Sequence, residues 1–133
     1  MPAQFDVQTQ QGDLDSSLDS VTVHPNSAGV TVANVALATS LVIKASPGKL
    51  LMLTAYNNNG AARFIQLFNA TALPGNGAVP VMIISVPTLG TFSFPIPNLS
   101  GMDFSTGIVV ANSTTAATLT VGSADSWFTA IVV

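Results

Sequence analysis

From Pro25 onward, the sequence consists of short apolar and β-branched runs separated by turn-forming residues. Runs of this length, repeated at spacings of about 8 to 15 residues, are typical of antiparallel β-sandwiches and β-barrels. No long helical pattern separates any two of them, which argues against a parallel α/β sheet. We predict strands at 28–36, 39–45, 49–57, 62–70, 79–87, 91–96, 106–112, 116–121 and 126–133.

The predicted fold is all-β: an antiparallel β-sandwich, jelly-roll-like, with seven to nine strands after residue 25. Composition favours it, because the chain has no glutamate and only 7% charged residues, so the usual surface residues of helices are scarce. Its 133 residues fit one domain. We divide the chain into an acidic polar N-terminal arm at 1–20 and a single β-sandwich domain at 21–133.

The N-terminal arm holds four of the six aspartates and no cation. Its few apolar residues follow no sustained period, so it is either a solvated tail or an arm that lies on a neighbouring subunit. Its acidic segment, 13–19, lacks the central glycine and the bidentate glutamate of a calcium loop.

Two turns are specified in detail. Asn58-Asn59-Gly60 tolerates positive φ, so it favours a tight hairpin between the strands at 49–57 and 62–70. Asp125 is expected to close the turn at 122–125 through its side chain.

Several strands are apolar on both faces. Phe64 and Phe68 point to one side of their strand, while Ile65 and Leu67 point to the other. A two-sheet sandwich has one inner face per sheet to fill, so the second apolar face needs cover from a loop or from another subunit. The candidate interface residues are Phe64, Ile65, Leu67, Phe68, Val81, Ile83 and Trp127.

The sequence closes on SWFTAIVV, at 126–133, with the only tryptophan of the chain. A terminus normally frays unless its backbone is paired. Both faces of this segment are apolar, which predicts a central or interface-facing closing strand, with Trp127 in the core or in an interface.

The residue inventory provides little for catalysis or for metal binding. His24 is the only histidine and lies in a polar region before Pro25, no serine lies in a nucleophile elbow, and cysteine is absent. Three scattered cations give no footprint for nucleic acid or anionic lipid, and no apolar run is long enough for a membrane span. We therefore expect no enzyme activity, no cofactor, no nucleic-acid partner and no membrane partner.

The last two-thirds of the chain, from about Lys49, contains RFIQLFNA…LPGNGAVPV, FSTGIVVANSTTAATLTVG and SADSWFTAIVV. In these phrases it resembles small virion structural proteins of tailed bacteriophages, and among them capsid decoration (cement) proteins. The resemblance implies a small β-sandwich or jelly roll that binds the assembled shell as an oligomer. It implies no catalytic residues.

From the resemblance we expect a non-enzymatic protein that decorates and stabilises the phage capsid. It would be made in the host cytoplasm and lie on the capsid exterior of the virion. The expected partners are the major capsid protein or other virion proteins, and the chain itself as a homo-oligomer, with a trimer slightly favoured over a dimer. The alternative is a carbohydrate- or receptor-binding module, or a fibre or neck module, of a phage virion. The binding module would use Trp127, Tyr56 and Asn or Asp side chains.

Overall fold

The computed structural model describes residues 29–95 and 101–133, with the backbone alone at 94 and 95. The N-terminal arm and His24 lie outside the described residues, as do the expectations made for them. No helix occurs in the described ranges, and accordingly none there is long and apolar enough to cross a membrane. The strands are β1 (Val30–Ala33), β2 (Ser40–Lys44), β3 (Gly48–Asn57), β4 (Arg63–Phe68), β5 (Met82–Val86), β6 (Thr91–Pro95), β7 (Met102–Phe104), β8 (Ile108–Ser113) and β9 (Ser126–Val132).

The strands form two antiparallel sheets that pack face to face, which confirms the predicted β-sandwich. Sheet A has the order β1-β9-β3-β6, with β7 also paired to β3, and sheet B has the order β2-β8-β4-β5. Alternate side chains of both sheets meet in one apolar core, as the two-residue period of strands requires. Its fully buried members include Leu50, Leu53, Ile65, Leu67, Ile108, Val110, Phe128 and Ala130.

The closing strand, β9, lies in the interior of sheet A between β1 and β3. It pairs with β1 from Val30↔Val132 to Ala33↔Thr129 and with β3 along most of its length. The prediction of a central closing strand is therefore confirmed.

The predicted hairpin at Asn58-Asn59-Gly60 is wrong. The chain does turn there, but β3 belongs to sheet A and β4 to sheet B, so the two strands do not pair. The side chains of Asn57 and Asn59 bind the backbone of this connection. Asn57 Nδ2 donates to the carbonyl of Ala61 at 2.8 Å, and the Ala61 N–H donates to Asn59 Oδ1 at 2.8 Å. Local side-chain bonds of this kind satisfy the backbone without a two-residue hairpin turn.

The predicted strand at 116–121 is also wrong, because this segment forms a loop with a single bridge, Ser113↔Val121. Ser113 Oγ accepts from the N–H groups of Thr115 at 3.2 Å and Thr120 at 2.9 Å. Thr115 Oγ1 donates to the Thr118 carbonyl at 2.7 Å. The Ser and Thr side chains thus bind the backbone locally, in competition with a strand ladder.

Candidate functional site

The seven candidate interface residues lie in different environments. Ile65 and Leu67 are fully buried in the core between the sheets, so they cannot contact a partner. Phe68 points to the opposite side of β4 but is only 3% exposed. The structure therefore corrects the expectation for these three residues, because each is covered by its own chain. Phe64 is half-buried, and Val81, Ile83 and Trp127 are exposed.

A loop of the same chain covers the outer face of sheet B. This covering loop, residues 114–121, places Leu119 against Phe68, Val109 and Ala111 in a second apolar cluster. Gln66 anchors it, since its Nε2 donates to the carbonyls of Thr115 and Ala116 at 2.8 Å each and of Thr118 at 3.4 Å. The sequence predicted that a loop or another subunit covers the second apolar face. Over β4 and β8, a loop of the same chain covers it.

The covering loop leaves the β5 edge of sheet B exposed. Val79, Val81 and Ile83 are 75%, 52% and 45% exposed, and we name these three residues the β5 surface. β5 is an edge strand, and no charged residue occurs from 79 to 86. An uncharged apolar edge is the type of surface that monomeric β proteins usually avoid. Pro80 and Pro87 flank the strand, which restricts how far a partner strand could extend the sheet.

A second exposed surface lies on the outer face of sheet A. Trp127 is 41% exposed there and is the direct cross-strand partner of the half-buried Tyr56. Paired residues project to the same face, so the two aromatic side chains are neighbours. Trp127 is thus not in the core, which leaves a contact surface as its remaining predicted role. We name the aromatic face by its outward residues, Tyr56, Trp127, Thr54, Thr129, Ser93 and Thr91.

A buried polar cluster joins the two sheets at one end of the sandwich. Asp125, next to β9, pairs with Arg63 of β4, with Nη2 and Oδ2 3.5 Å apart and each side chain 10% exposed. Asn59 Nδ2 donates to the same carboxylate oxygen at 2.7 Å, and Asn112 Nδ2 donates to Oδ1 at 3.1 Å. Asn112 Nδ2 also donates to Ser126 Oγ at 2.8 Å. Asp125 therefore connects both sheets and the β3–β4 connection. Its carboxylate binds none of residues 122–124, so the predicted closure of that turn by the Asp125 side chain is wrong; the Asp125 N–H bonds the Ser123 carbonyl instead.

We expect Gly122→Ala to destabilise the protein by about 1–3 kcal/mol, because a methyl group there would overlap Asn112 Oδ1 and approach Arg63 Nε to 3.1 Å. Urea unfolding measures the change. Gly75→Ala is the matched control, since a methyl group on Gly75 meets no atom within 4 Å, and it should change stability by less than about 0.5 kcal/mol. Equal unfolding free energies for the two variants would show that Asn112 and Arg63 can move away from the added methyl group without loss of stability.

A shallow groove of about 470 Å³ lies beside the start of β3 and is lined by Lys49, Asn69, Asp103 and Ser105 among others. Its polar side chains are engaged with one another. Lys49 pairs with Asp103 at 3.6 Å, and Asn69 binds Ser105 Oγ at 2.9 Å and the Thr106 N–H at 2.8 Å. We interpret these contacts as the support of the turn before β8. In residues 29–95 and 101–133, no three His, Cys, Asp or Glu side chains are grouped as metal ligands.

Comparisons with protein-family models, with curated protein sequences and with solved structures give no match to this chain. The two exposed surfaces, the β5 surface and the aromatic face, are the features of the described residues that could contact a partner.

Proposed function

We propose that this protein is a non-enzymatic structural protein of a tailed-phage virion, which decorates and stabilises the capsid from outside. The observation that carries the proposal is the β5 surface, three exposed aliphatic side chains on the uncharged edge strand β5 and on the segment just before it. Contact with a partner would remove this apolar area from water at about 25 cal/mol per Å². The flanking prolines favour contact through side chains over extension of the sheet.

The strand order supports a jelly roll. When the three-residue β7 is left out, β1, β3, β6 and β9 form sheet A, while β2, β4, β5 and β8 form sheet B. The chain thus crosses between the sheets after nearly every strand, and each sheet has four strands in the interleaved orders of a double Greek key. Jelly rolls recur in viral capsid domains, which agrees with the proposal as an analogy of fold.

The proposed partners are the major capsid protein or other virion proteins, and further copies of this chain. We propose a trimer slightly before a dimer. The chain carries only three lysines and arginines, so its contacts would depend on apolar area and neutral hydrogen bonds. A repeated lattice makes weak contacts sufficient, because tethered neighbours raise the effective concentration of each site.

Electron microscopy of purified particles tests the location of the protein. Density for the sandwich at repeated positions on the outer capsid surface is the expected result. Density only in the tail, neck or fibres would replace capsid decoration with the alternative role, and absence from the particles would reject a virion role.

We expect Ile83→Asp to dissociate the homo-oligomer into a folded 13.6 kDa monomer, because it places a charge on the β5 surface. Light scattering measures the mass. Val42→Asp is the matched control, since Val42 is 42% exposed on the opposite edge of sheet B, and it should leave the oligomer intact. Ile65→Asp cannot serve this test, because Ile65 lies in the core.

A wild-type protein that is monomeric at high concentration would reject self-association. Binding of the variants to empty capsids would then test the β5 surface alone. Equal binding by Ile83→Asp and wild type would reject that surface as the docking site.

A further inference from the structure

The aromatic face presents two large, partly exposed aromatic side chains, although the packing of the sandwich does not require them there. Trp127 and Tyr56 stand side by side at one end of it, with Trp127 41% exposed although it is the largest apolar side chain of the chain. An exposed tryptophan leaves a large apolar surface in contact with water, and tryptophan is enriched at binding interfaces, where its ring can be covered.

Hydroxyl groups continue this face along the strands. Thr54 is the cross-strand partner of both Thr129 and Ser93, so three hydroxyl side chains form a row across β9, β3 and β6. Thr54 Oγ1 and Ser93 Oγ lie 3.4 Å apart. Thr91 is the partner of Tyr56 and adds a fourth hydroxyl beside the aromatic pair. Hydroxyl groups donate and accept hydrogen bonds, which suits a ligand that itself carries hydroxyl groups.

The face is also uncharged. Strands β1, β6 and β9 contain no Asp, Glu, Lys or Arg, and the only charged residue of β3 is Lys49 near its start. A nucleic acid or an anionic headgroup would require cations here. A neutral surface with two adjacent aromatic rings and neighbouring hydroxyl groups instead matches a sugar, whose ring has an apolar C–H face and a polar rim.

We propose that the aromatic face binds a neutral oligosaccharide, with one pyranose ring stacked on Trp127 and Tyr56. The adjoining sugar units would lie along β3, where Thr54, Thr129 and Ser93 bond their hydroxyl groups. This binding is independent of the proposed capsid role, because the two functions use different sheets.

Tryptophan fluorescence tests the proposal directly, since Trp127 is the only tryptophan. The probes are cellohexaose, maltohexaose and chitohexaose, which differ in linkage and substituents but are all uncharged chains of pyranose rings. At least one should change the emission saturably, with a dissociation constant of about 0.1–1 mM, the range of a weak site. No saturable change of emission and no heat of binding with any of the three would overturn the proposal.

Variants then assign the site, with binding followed by calorimetry so that the loss of the fluorophore does not matter. Trp127→Ala should abolish binding, and Tyr56→Ala should weaken it about two- to tenfold, in keeping with the energy of one aromatic contact. Val42→Thr, at an equally exposed position on sheet B, should bind like the wild type. All variants should keep the wild-type melting temperature to within a few degrees. Binding that survives Trp127→Ala would overturn the assignment.

A rival use of the face is contact with a second copy. In that case the emission of Trp127 would shift on dilution of the protein without sugar, and Trp127→Ala would lower the mass seen by light scattering. Either result, without sugar binding, would reject the oligosaccharide site. Ile83→Asp should not affect sugar binding, so failure of this proposal and failure of the capsid role remain distinguishable.

Discussion

Asp125→Ala is expected to destabilise the protein by about 3–5 kcal/mol and to lower its melting temperature by roughly 10 °C or more. The substitution removes the only anion that Arg63 contacts among the described residues, and it leaves a cation that is 10% exposed between the sheets. It also deprives Asn59 and Asn112 of an acceptor, at 2.7 and 3.1 Å. A buried group left without its partner costs more than the intact pair contributes.

The other ion pair of the described chain provides the control. Lys49 and Asp103 are 3.6 Å apart, but their side chains are 51% and 80% exposed. Asp103→Ala should therefore cost less than about 1 kcal/mol. The double variant Arg63→Met with Asp125→Leu should recover part of the loss, because it removes both charges. Urea unfolding measures all three, and equal losses for Asp125→Ala and Asp103→Ala would contradict the role given to the buried cluster.

Gln66→Glu is expected to cost about 3 kcal/mol or more at pH 7, although the two side chains have nearly the same shape. Gln66 Nε2 donates to three carbonyls of the covering loop, and a carboxylate would place an acceptor and a charge against those oxygens. The loop should detach, and Leu119 would expose the second apolar cluster. Binding of a hydrophobic dye and urea unfolding measure the two effects.

The cost of this charge should depend on pH. Burial among carbonyl oxygens raises the pKa of the introduced carboxyl in the folded state, so the unfolded chain loses its proton first as the pH rises. The penalty is therefore small in acid and grows through the ordinary titration range of glutamate, near pH 4.3. Measured against wild type, the variant should therefore be much less destabilised at about pH 3, below the ordinary pKa of glutamate, than at pH 7.

Asn76→Asp is the matched control, because Asn76 is exposed and its Oδ1 accepts from the Val121 N–H, a bond that a carboxylate keeps. It should remain close to wild type at both pH values. If Asn76→Asp lost as much stability as Gln66→Glu, the added net charge would explain both losses. If neither variant lost stability, Gln66 would not anchor the loop.

The fold class could be predicted because turn residues and β-branched runs are local signals. The order in which the chain passes between the two sheets could not be predicted, because it depends on contacts between distant residues. The chain bends at Asn58-Asn59-Gly60 but forms no hairpin there. Asn59 instead binds Asp125, 66 positions later in the sequence, and no local pattern indicates that contact. β7 is only three residues long and follows Gly101 at φ 76°, too short to show a period.

The exposed surfaces could be predicted only in part for a similar reason. Alternation along β4 correctly indicates two apolar faces, but it does not indicate which of them the chain itself covers. That depends on Gln66, a polar residue whose three partners lie about 50 positions away. Ile83 and Phe68 are both apolar residues on the outer faces of their strands. Phe68 is buried because the covering loop packs on it, whereas Ile83 lies outside the loop and is exposed.

The position of β9 determines when the protein can fold during synthesis. β9 lies between β1 and β3, so sheet A cannot be assembled until the ribosome has made residues 126–132. Roughly 100 residues separate it from β1, which at 5–20 residues per second is about 5–20 s of translation. During that interval β1 and β3 wait with open edges that nascent chains on neighbouring ribosomes could pair with. Pairing of these open edges between nascent chains, rather than the stability of the finished sandwich, would then limit the yield of folded protein in the cell.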